Sequence, residues 1–368
     1  MDSITQAALG GAVGEWILGR KLGWRGMAWG LFFGTLPDLD ILVSPFLDEV
    51  TRLKWHRGIS HSVLMLFAGA FLLMKPLSWL HRGRGLSPGR AWWFIFLAWS
   101  THVLIDVFTT YGTQIWEPFS DARASFNNMS IIDPLFSLPL LVCVFLALGR
   151  VLIFVFRTIR YRRTPEEERG EQVVEPRFSG KVAKIALMTS CLYTLFSFGM
   201  KTRAMKVIEA RMQEEIPNAE LVQVAPTLGN TILWRGLVET QTGYWVIYWS
   251  LFDQESAKWD YYPKHAELTE RFRDEKHYRG LEWFSQGRWV ARIRPDGKIL
   301  LIDMRFGERR SAQIGRQFPI FKWAMRYDED GNFEATHPPS KIDAGEALSL
   351  LWNRLTGNLE LWQSAKPF

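Results

Sequence analysis

Long apolar runs are concentrated in the first 200 residues of the 368-residue chain. Six of them cover residues 4–19, 26–43, 62–80, 91–110, 131–156 and 182–200. A helix of about 20 apolar residues crosses the hydrocarbon core of a bilayer. The first two runs are short and rich in glycine, so either could be a partial or re-entrant span. The pattern predicts an α-helical polytopic membrane domain of about six helices.

Residues 201–368 have shorter stretches of alternating apolar and polar positions, which predict strands at 220–228, 231–240, 244–252, 289–294 and 299–306. The sequence Arg294-Pro295-Asp296-Gly297-Lys298 predicts a hairpin turn between the last two. Helices are predicted at 264–277 and 344–355. The expected organisation is a membrane domain at 1–156, a charged loop at 157–181, a final transmembrane helix at 182–200 and a small soluble α+β domain at 201–368.

The positions of lysine and arginine predict the orientation of the chain. The connections at 20–25, 75–90 and 157–184 hold fifteen of these residues, whereas those at 52–57 and 123 hold four. Cytoplasmic loops of membrane proteins are enriched in positive charge, so the first set is placed inside. The connections 44–61 and 111–130 and the soluble domain are then extracytoplasmic, in a bacterial-type inner membrane. Because topology accounts for the net charge of +6, no nucleic-acid partner is predicted.

Acidic and histidine side chains form short motifs within or beside the predicted helices. Ionisable groups in a membrane are costly, and each therefore needs a partner or a function. The predicted topology places all the motifs at the extracytoplasmic side. Asp38, Asp40, His56, His61, His102 and Asp106 are the predicted metal ligands.

The residue types favour zinc, with manganese or iron as alternatives, because imidazole and carboxylate suit these ions better than calcium or magnesium. Six ligands are too many for one tetrahedral zinc and fit a site of two or more ions. Such a site would hydrolyse a phosphoester through metal-activated water. Arg57 is expected to orient the phosphate, and Asp38 or Asp106 to act as general base. Membrane lipids are the expected neighbours, and a lipid phosphate would lie at the depth of the site.

Each motif also has a structural interpretation. Asp38 and Asp40 could end a helix, His56 and His61 could be interfacial surface residues, Ser60 could cap the third helix, and His102 and Asp106 could be a helix pair. The alternative function is a non-catalytic metal-binding membrane protein whose C-terminal domain binds a protein partner. A transporter is a third possibility, but these residues lie near one end of the helices rather than at the membrane midplane.

Five motifs, in order, closely resemble the YdjM-like (YdjM/YbcI-type) family, whose members are described as membrane-bound metal-dependent hydrolases. They are Asp2-Ser3-Ile4-Thr5-Gln6, Leu36-Pro37-Asp38-Leu39-Asp40, His56-Arg57-Gly58-Ile59-Ser60-His61-Ser62, His102-Val103-Leu104-Ile105-Asp106 and Thr110-Tyr111-Gly112-Thr113-Gln114. The resemblance covers about residues 1–155 and implies metal-ligand roles for the six residues named above. A distant similarity of the family to zinc-dependent phospholipases C and S1/P1-type nucleases implies phosphodiester hydrolysis.

The chain departs from the family pattern at one position. Many relatives carry histidine where this chain has Gln6, which implies that one coordination position is weaker or filled by water. Asp133 also matches a family pattern, where it is either a ligand or the cap of a helix. The soluble domain is not covered by the resemblance.

Overall fold

A computed structural model of the chain describes residues 1–166, 173, 179–255, 257–339, 343–363 and 366–368. The first of its two units comprises Met1–Leu42, Arg57–Phe126 and Ile131–Phe196. The second comprises Val43–His56, Asn127–Ser130 and Ser197–Phe368. Two connections of the N-terminal helical half, residues 43–56 and 127–130, therefore belong to the same unit as the C-terminal residues. Residues 167–172 and 174–178 of the predicted loop at 157–181 lie outside the described residues.

Seven helices occur in the described part of the chain before the first strand. They are α1 (Ser3–Leu22), α2 (Trp24–Thr35), α3 (Glu49–Trp55), α4 (Val63–Leu80), α5 (Pro88–Val107), α6 (Pro134–Arg163) and α7 (Lys181–Glu215). Within the described residues, four segments are long and apolar enough to cross a membrane: Trp24–Phe46, Val63–Leu80, Pro134–Arg163 and Lys181–Glu215. This confirms a helical N-terminal part with membrane-spanning capacity. The count of six spans and the re-entrant segments stay predictions.

Helices α1 and α2 form a close hairpin because glycines line both contacting faces. The turn is made by Gly23, whose φ of 59° lies in the left-handed region. A Cβ added at Gly10 would lie only 2.3 Å from the carbonyl oxygen of Gly30, so the two backbones are in contact. Small residues permit this approach between membrane helices. A Cβ added at Gly34 would lie 2.7 Å from the carbonyl oxygen of Gln6, so the start of α1 lies beside the end of α2.

Helix α5 runs through the apolar core of the first unit. Phe94 and Ile95 are fully buried, and the ring of Trp99 packs against Gly69 of α4 so closely that an added Cβ would lie 2.3 Å from it. The capping residue Ser87 accepts a hydrogen bond from the N–H of Arg90, and proline occupies the first turn. The packing fixes the C-terminal half of α5, where His102 and Asp106 are also buried.

Asp133 is the N-cap of α6, which confirms the structural alternative for this residue. Its side chain accepts a hydrogen bond from the backbone N–H of Phe136 at 3.4 Å. The hydroxyl of Tyr193, on α7, lies 2.9 Å from each of the two carboxylate oxygens. The carboxylate therefore joins the start of α6 to α7.

The C-terminal part of the chain is rich in β-structure, as the sequence predicts. Its elements are β1 (Glu220–Pro226), β2 (Leu233–Glu239), β3 (Gly243–Ser250), β4 (Asp260–Pro263), α8 (Lys276–Ser285), β5 (Trp289–Ile293), β6 (Ile299–Asp303), β7 (Glu308–Ser311), β8 (Arg316–Pro319), β9 (Lys322–Tyr327), β10 (Phe333–Thr336), α9 (Ala344–Leu355) and α10 (Glu360–Gln363). One antiparallel sheet has the order β1-β2-β3-β4, a second has the order β10-β9-β6-β5, and β7 pairs with β8.

The predicted helix at 264–277 is wrong. His265 adopts a left-handed φ of 52°, which interrupts a helix, and two short 3-10 turns follow at Ala266–Leu268 and Glu270–Phe272. A regular helix begins only at Lys276. The predicted helix at 344–355 and the hairpin between β5 and β6 are confirmed.

Helix α3 packs against α8 within the second unit. Asp48 caps α3 by accepting hydrogen bonds from the N–H groups of Val50 and Thr51. The imidazole Nε2 of His277 lies 3.4 Å from Asp48 Oδ1. Val50 is buried, and a Cβ added at Gly280 would lie 2.2 Å from its Cγ1. Residues far along the chain therefore hold a segment that lies, in sequence, between the Asp38/Asp40 and Arg57–His61 motifs.

Candidate metal centre

Four side chains of the first unit bring one donor atom each to a common point: Asp38, His61, His102 and Asp106. The two imidazole Nε2 atoms lie 3.1 Å apart, and each lies 3.4 to 3.5 Å from Asp38 Oδ1 and Asp106 Oδ2. Ligand bonds of about 2.0–2.1 Å to a tetrahedral zinc ion give ligand separations of about 3.3–3.4 Å. The donor separations therefore match the coordination sphere of one cation.

Three separate pieces of chain position these donors. Asp38 lies in the 3-10 segment Leu36–Phe46, which continues α2 beyond Thr35. His61 ends the short 3-10 turn Ile59–His61 that precedes α4. His102 and Asp106 are one turn apart on α5, as their spacing predicts.

The hydrogen bonds of the imidazoles turn their Nε2 atoms toward the common point. His102 Nδ1 donates to the carbonyl oxygen of Gly34 at 2.7 Å, which leaves the lone pair on Nε2. The Nδ1 atom of His61 lies 2.9 Å from Ser60 Oγ. Because the Ser60 hydroxyl donates to Asp40 Oδ2 at 3.2 Å, its oxygen is available to accept from His61. Both imidazoles are thus assigned the tautomer of a metal ligand through Nε2.

The carboxylate of Asp106 shows the same division of its atoms between a supporting contact and the centre. Asp106 Oδ1 accepts from Gln6 Nε2 at 2.8 Å, from Arg57 Nη2 at 2.9 Å and from the nitrogen of Met1. Asp106 Oδ2 and Asp38 Oδ1 are buried without a hydrogen-bond partner. An unsatisfied buried polar atom is costly, and a cation between these two oxygens would remove that cost. The residues present therefore fit a bound metal ion.

Asp40 and Arg57 support the four donors through further contacts. Asp40 Oδ2 accepts the backbone N–H of Arg57 at 3.0 Å in addition to the Ser60 hydroxyl. The Arg57 side chain is buried, pairs with Asp106 and donates to Thr109 Oγ1 at 3.3 Å. These contacts favour a positioning role for Arg57 in the structure.

Ser60 does not cap α4, because its hydroxyl is directed to Asp40. The capping residue is Ser62, whose side chain accepts a hydrogen bond from the N–H of Met65. His56 is the last residue of a segment assigned to the second unit, so its role as a ligand stays a prediction.

Gln6 lies at the centre, as the family resemblance implies. It is buried, and its Nε2 lies 3.3 Å from His102 Nε2 as well as 2.8 Å from Asp106 Oδ1. Its Oε1 is buried without a hydrogen-bond partner. Gln6 is therefore the residue through which α1 contacts the centre.

Sequence reasoning gave no role to three groups that hold the ligands or the residues beside them. They are the carbonyl oxygen of Gly34, the Thr109 hydroxyl and the indole N–H of Trp99, which donates to the Ser60 carbonyl at 3.1 Å. A backbone carbonyl leaves no signal in the sequence. Thr109 belongs to a polar stretch that follows the His102/Asp106 motif, and that stretch was its only signal.

Comparisons with known proteins place these motifs in a family. Over 105 residues the chain is 27% identical to the uncharacterized protein YfhP of Bacillus subtilis (strain 168), a match that covers 27% of this chain. The chain spans 29% of the length of that relative. No solved structure matches the chain. The model of the YdjM inner membrane protein family matches residues 1–203, more than half of the sequence and every residue of the candidate centre. The chain therefore belongs to the YdjM inner membrane protein family.

Proposed function

We propose that the protein is a membrane-bound metal-dependent hydrolase that acts on a phosphoester of the membrane or cell envelope. One observation carries the proposal: two unpartnered buried carboxylate oxygens face two imidazole Nε2 atoms at the separations of a tetrahedral coordination sphere. A divalent cation bound there, zinc by preference or manganese or iron, would supply Lewis acidity and activate water for hydrolysis.

The exposure of the ligands indicates the side from which a substrate approaches. The side chains of His61, His102 and Asp106 are 0% exposed, whereas that of Asp38 is 14% exposed. Asp38 is therefore the carboxylate placed to accept a proton from the attacking water. Arg57 neutralises part of the negative charge of Asp106 and keeps Asp106 Oδ1 engaged, so that Oδ2 remains for the cation.

A closed coordination sphere favours the second candidate function, a non-catalytic metal-binding membrane protein. Four protein ligands are typical of structural zinc sites, whereas catalytic sites keep one position open. In this alternative the metal stabilises the helix bundle, and the C-terminal domain binds a protein partner. It predicts bound metal without turnover.

The composition of the second unit supports an extracytoplasmic C-terminal domain in a multi-pass inner-membrane protein. Residues 43–56 and 127–130 come from the two connections that the positive-inside rule places outside, and both group with residues 197–368. The metal centre would lie on the same side, because its motifs flank those connections.

The test uses the full-length protein purified in detergent, with metal content measured by mass spectrometry and hydrolysis of bis(p-nitrophenyl) phosphate as the activity. We expect bound zinc, and a loss of about 100-fold or more in kcat/KM for His61→Ala and His102→Ala. His265→Ala, which changes an exposed histidine of the second unit, is the matched control. Wild-type protein without metal would reject both candidate functions, and metal without turnover of any phosphoester would leave the structural one.

A further inference from the structure

We infer that the substrate is a membrane lipid with a phosphoester headgroup, and that it reaches the centre laterally from the bilayer past an apolar rim formed by Leu39, Ile41 and Leu42. The inference rests on the proposed hydrolase function and adds the substrate class and its route.

The rim flanks the most accessible ligand. Asp38 and Asp40 turn inward, with side chains 14% and 5% exposed. Leu39, between them, is 41% exposed, and Ile41 and Leu42 are 57% and 66% exposed. The segment that supplies the ligand therefore presents its polar side chains to the centre and its apolar side chains outward.

The same segment is continuous with a candidate membrane span. The span Trp24–Phe46 includes the whole 3-10 segment Leu36–Phe46, whose only charged residues are Asp38 and Asp40. Exposed apolar side chains in such a span face lipid rather than water. The open side of the centre is thus bordered by a surface suited to the hydrocarbon of the membrane.

The segment that supplies His61 also carries exposed apolar side chains. Ile59, Val63 and Leu64, which surround His61 in sequence, are 44%, 39% and 50% exposed. Both segments that supply ligands, Asp38 and His61, therefore present exposed apolar side chains beside the ligand. A lipid would place its acyl chains along them and its phosphate at the cation.

The kinetic test compares a dioleoyl phospholipid in vesicles with bis(p-nitrophenyl) phosphate in water, using full-length protein reconstituted in lipid. Leu39→Ser and Leu42→Ser are expected to lower kcat/KM for the phospholipid about tenfold, as loss of an apolar contact predicts, and to leave the soluble ester and the metal content unchanged. Leu152→Ser is the matched control, because Leu152 of α6 is 59% exposed, between the values of Leu39 and Leu42.

An equal loss with both substrates, no loss with either, or hydrolysis of the soluble ester without the phospholipid would overturn the lipid inference and leave the hydrolase proposal intact. Absence of all hydrolysis by wild-type protein would reject the hydrolase proposal and the inference with it.

A second measurement does not depend on activity. A nitroxide is attached to Leu42→Cys, and separately to Leu152→Cys, after the native Cys143 and Cys191 are changed to serine. We expect the label at position 42 to collide with oxygen dissolved in the bilayer as often as the label at position 152. Preferential collision with a water-soluble nickel complex would place the rim in water and overturn lateral access.

Discussion

Three of the four ligands of the candidate centre have a second atom that is already engaged by a neighbour. Gly34 holds His102, Ser60 and Asp40 hold His61, and Gln6 and Arg57 hold Asp106. Such contacts fix the orientation of the donor before a cation arrives, and their loss lowers metal affinity about 10- to 100-fold in metalloproteins.

Ser60→Ala tests this arrangement at a single hydroxyl. The variant keeps all four donors but removes the hydroxyl that lies between Asp40 and His61 Nδ1, so the imidazole of His61 is oriented less firmly. We expect zinc affinity to fall about tenfold or more, measured by competition with a chromogenic chelator, with unchanged stoichiometry at saturation. Ser120→Ala, in an exposed loop, should have no effect. Equal affinities for Ser60→Ala and wild type would show that the hydroxyl does not position the imidazole.

The sequence identifies the donor residues better than it identifies the groups that hydrogen-bond to them. His102 and Asp106 are predictable because a four-residue spacing places them on one helix face, and Asp38 and His61 because they are ionisable groups at helix ends. The ligand role of Asp40 stays a prediction, whereas its hydrogen bonds to the Arg57 N–H and the Ser60 hydroxyl could not be predicted, because only the folded loop creates them.

Among the helices, the α1–α2 hairpin is the element on which the centre most directly depends. Gln6 lies near the start of α1 and Asp38 follows the end of α2, so the close approach of the two helices brings these residues together. The approach requires glycine at the contact, since an added Cβ at Gly30 would lie 2.2 Å from the Gly10 carbonyl oxygen.

Gly30→Ala is therefore expected to force the two backbones apart. A destabilisation of about 1–3 kcal/mol, the usual cost of overpacking, should lower the Tm of the detergent-solubilised protein and reduce its zinc content. Gly149→Ala is the matched control, because Gly149 is a helical glycine of α6 with open space around the new methyl group. Unchanged Tm and zinc content in Gly30→Ala would mean that the hairpin tolerates separation.

In the second unit, strand β7 carries a buried ion-pair network with a defined pH dependence. Burial tends to raise the pKa of Glu308, but Arg310 and Arg235 outweigh it and hold that pKa below its ordinary value. Arg310 Nη2 lies 2.9 Å from Glu308 Oε1, and Arg235 Nε lies 3.5 Å from Oε2. A folded-state pKa below the unfolded one stabilises the protein above the unfolded value and loses that effect as pH falls through the folded one.

Thermal unfolding followed between pH 7 and pH 3 tests the network. Wild-type protein should lose stability below the ordinary glutamate pKa of about 4.3. Glu308→Gln should already be destabilised at pH 7, by about 3–5 kcal/mol, because buried Arg235 loses its carboxylate partner and Arg310 keeps only Asp260, and should show a weaker dependence on pH. Glu334→Gln breaks an exposed pair with Arg326 and serves as the control. An identical pH profile for wild type and Glu308→Gln would contradict the assignment.

Element prediction succeeded where the apolar pattern is long and failed where local backbone conformation decides. The residues of α9 repeat with a helical period, and the β5–β6 hairpin has a glycine at its turn with a φ of 77°. The segment 264–277 has a helical composition, but His265 in a left-handed conformation and two short turns delay the helix to Lys276. Strands β4, β7, β8 and β10 have four residues each, too few for an alternating pattern to identify.

At the scale of the whole molecule, the orientation in the membrane is open to a direct test. In a chain with Cys143 and Cys191 changed to serine, cysteines are introduced singly at Asp330 and at Gly83. A membrane-impermeant maleimide added outside intact spheroplasts should label position 330 and leave position 83 unlabelled until the membrane is opened. Labelling of position 83 alone would invert the proposed topology and place the C-terminal domain in the cytoplasm.

Because α3 packs against α8, residues 1–203, which match the family model, depend for folding on residues that follow them in the chain. A polypeptide ended at residue 203, where the family match stops, would keep all four donors and lose α8. Val50 would then meet solvent, and the stretch that joins Asp40 to Arg57 would lose its anchor. Maturation of the metal centre is therefore expected to await synthesis of residues 276–285, so that the binding motif, although encoded early, is completed late during translation.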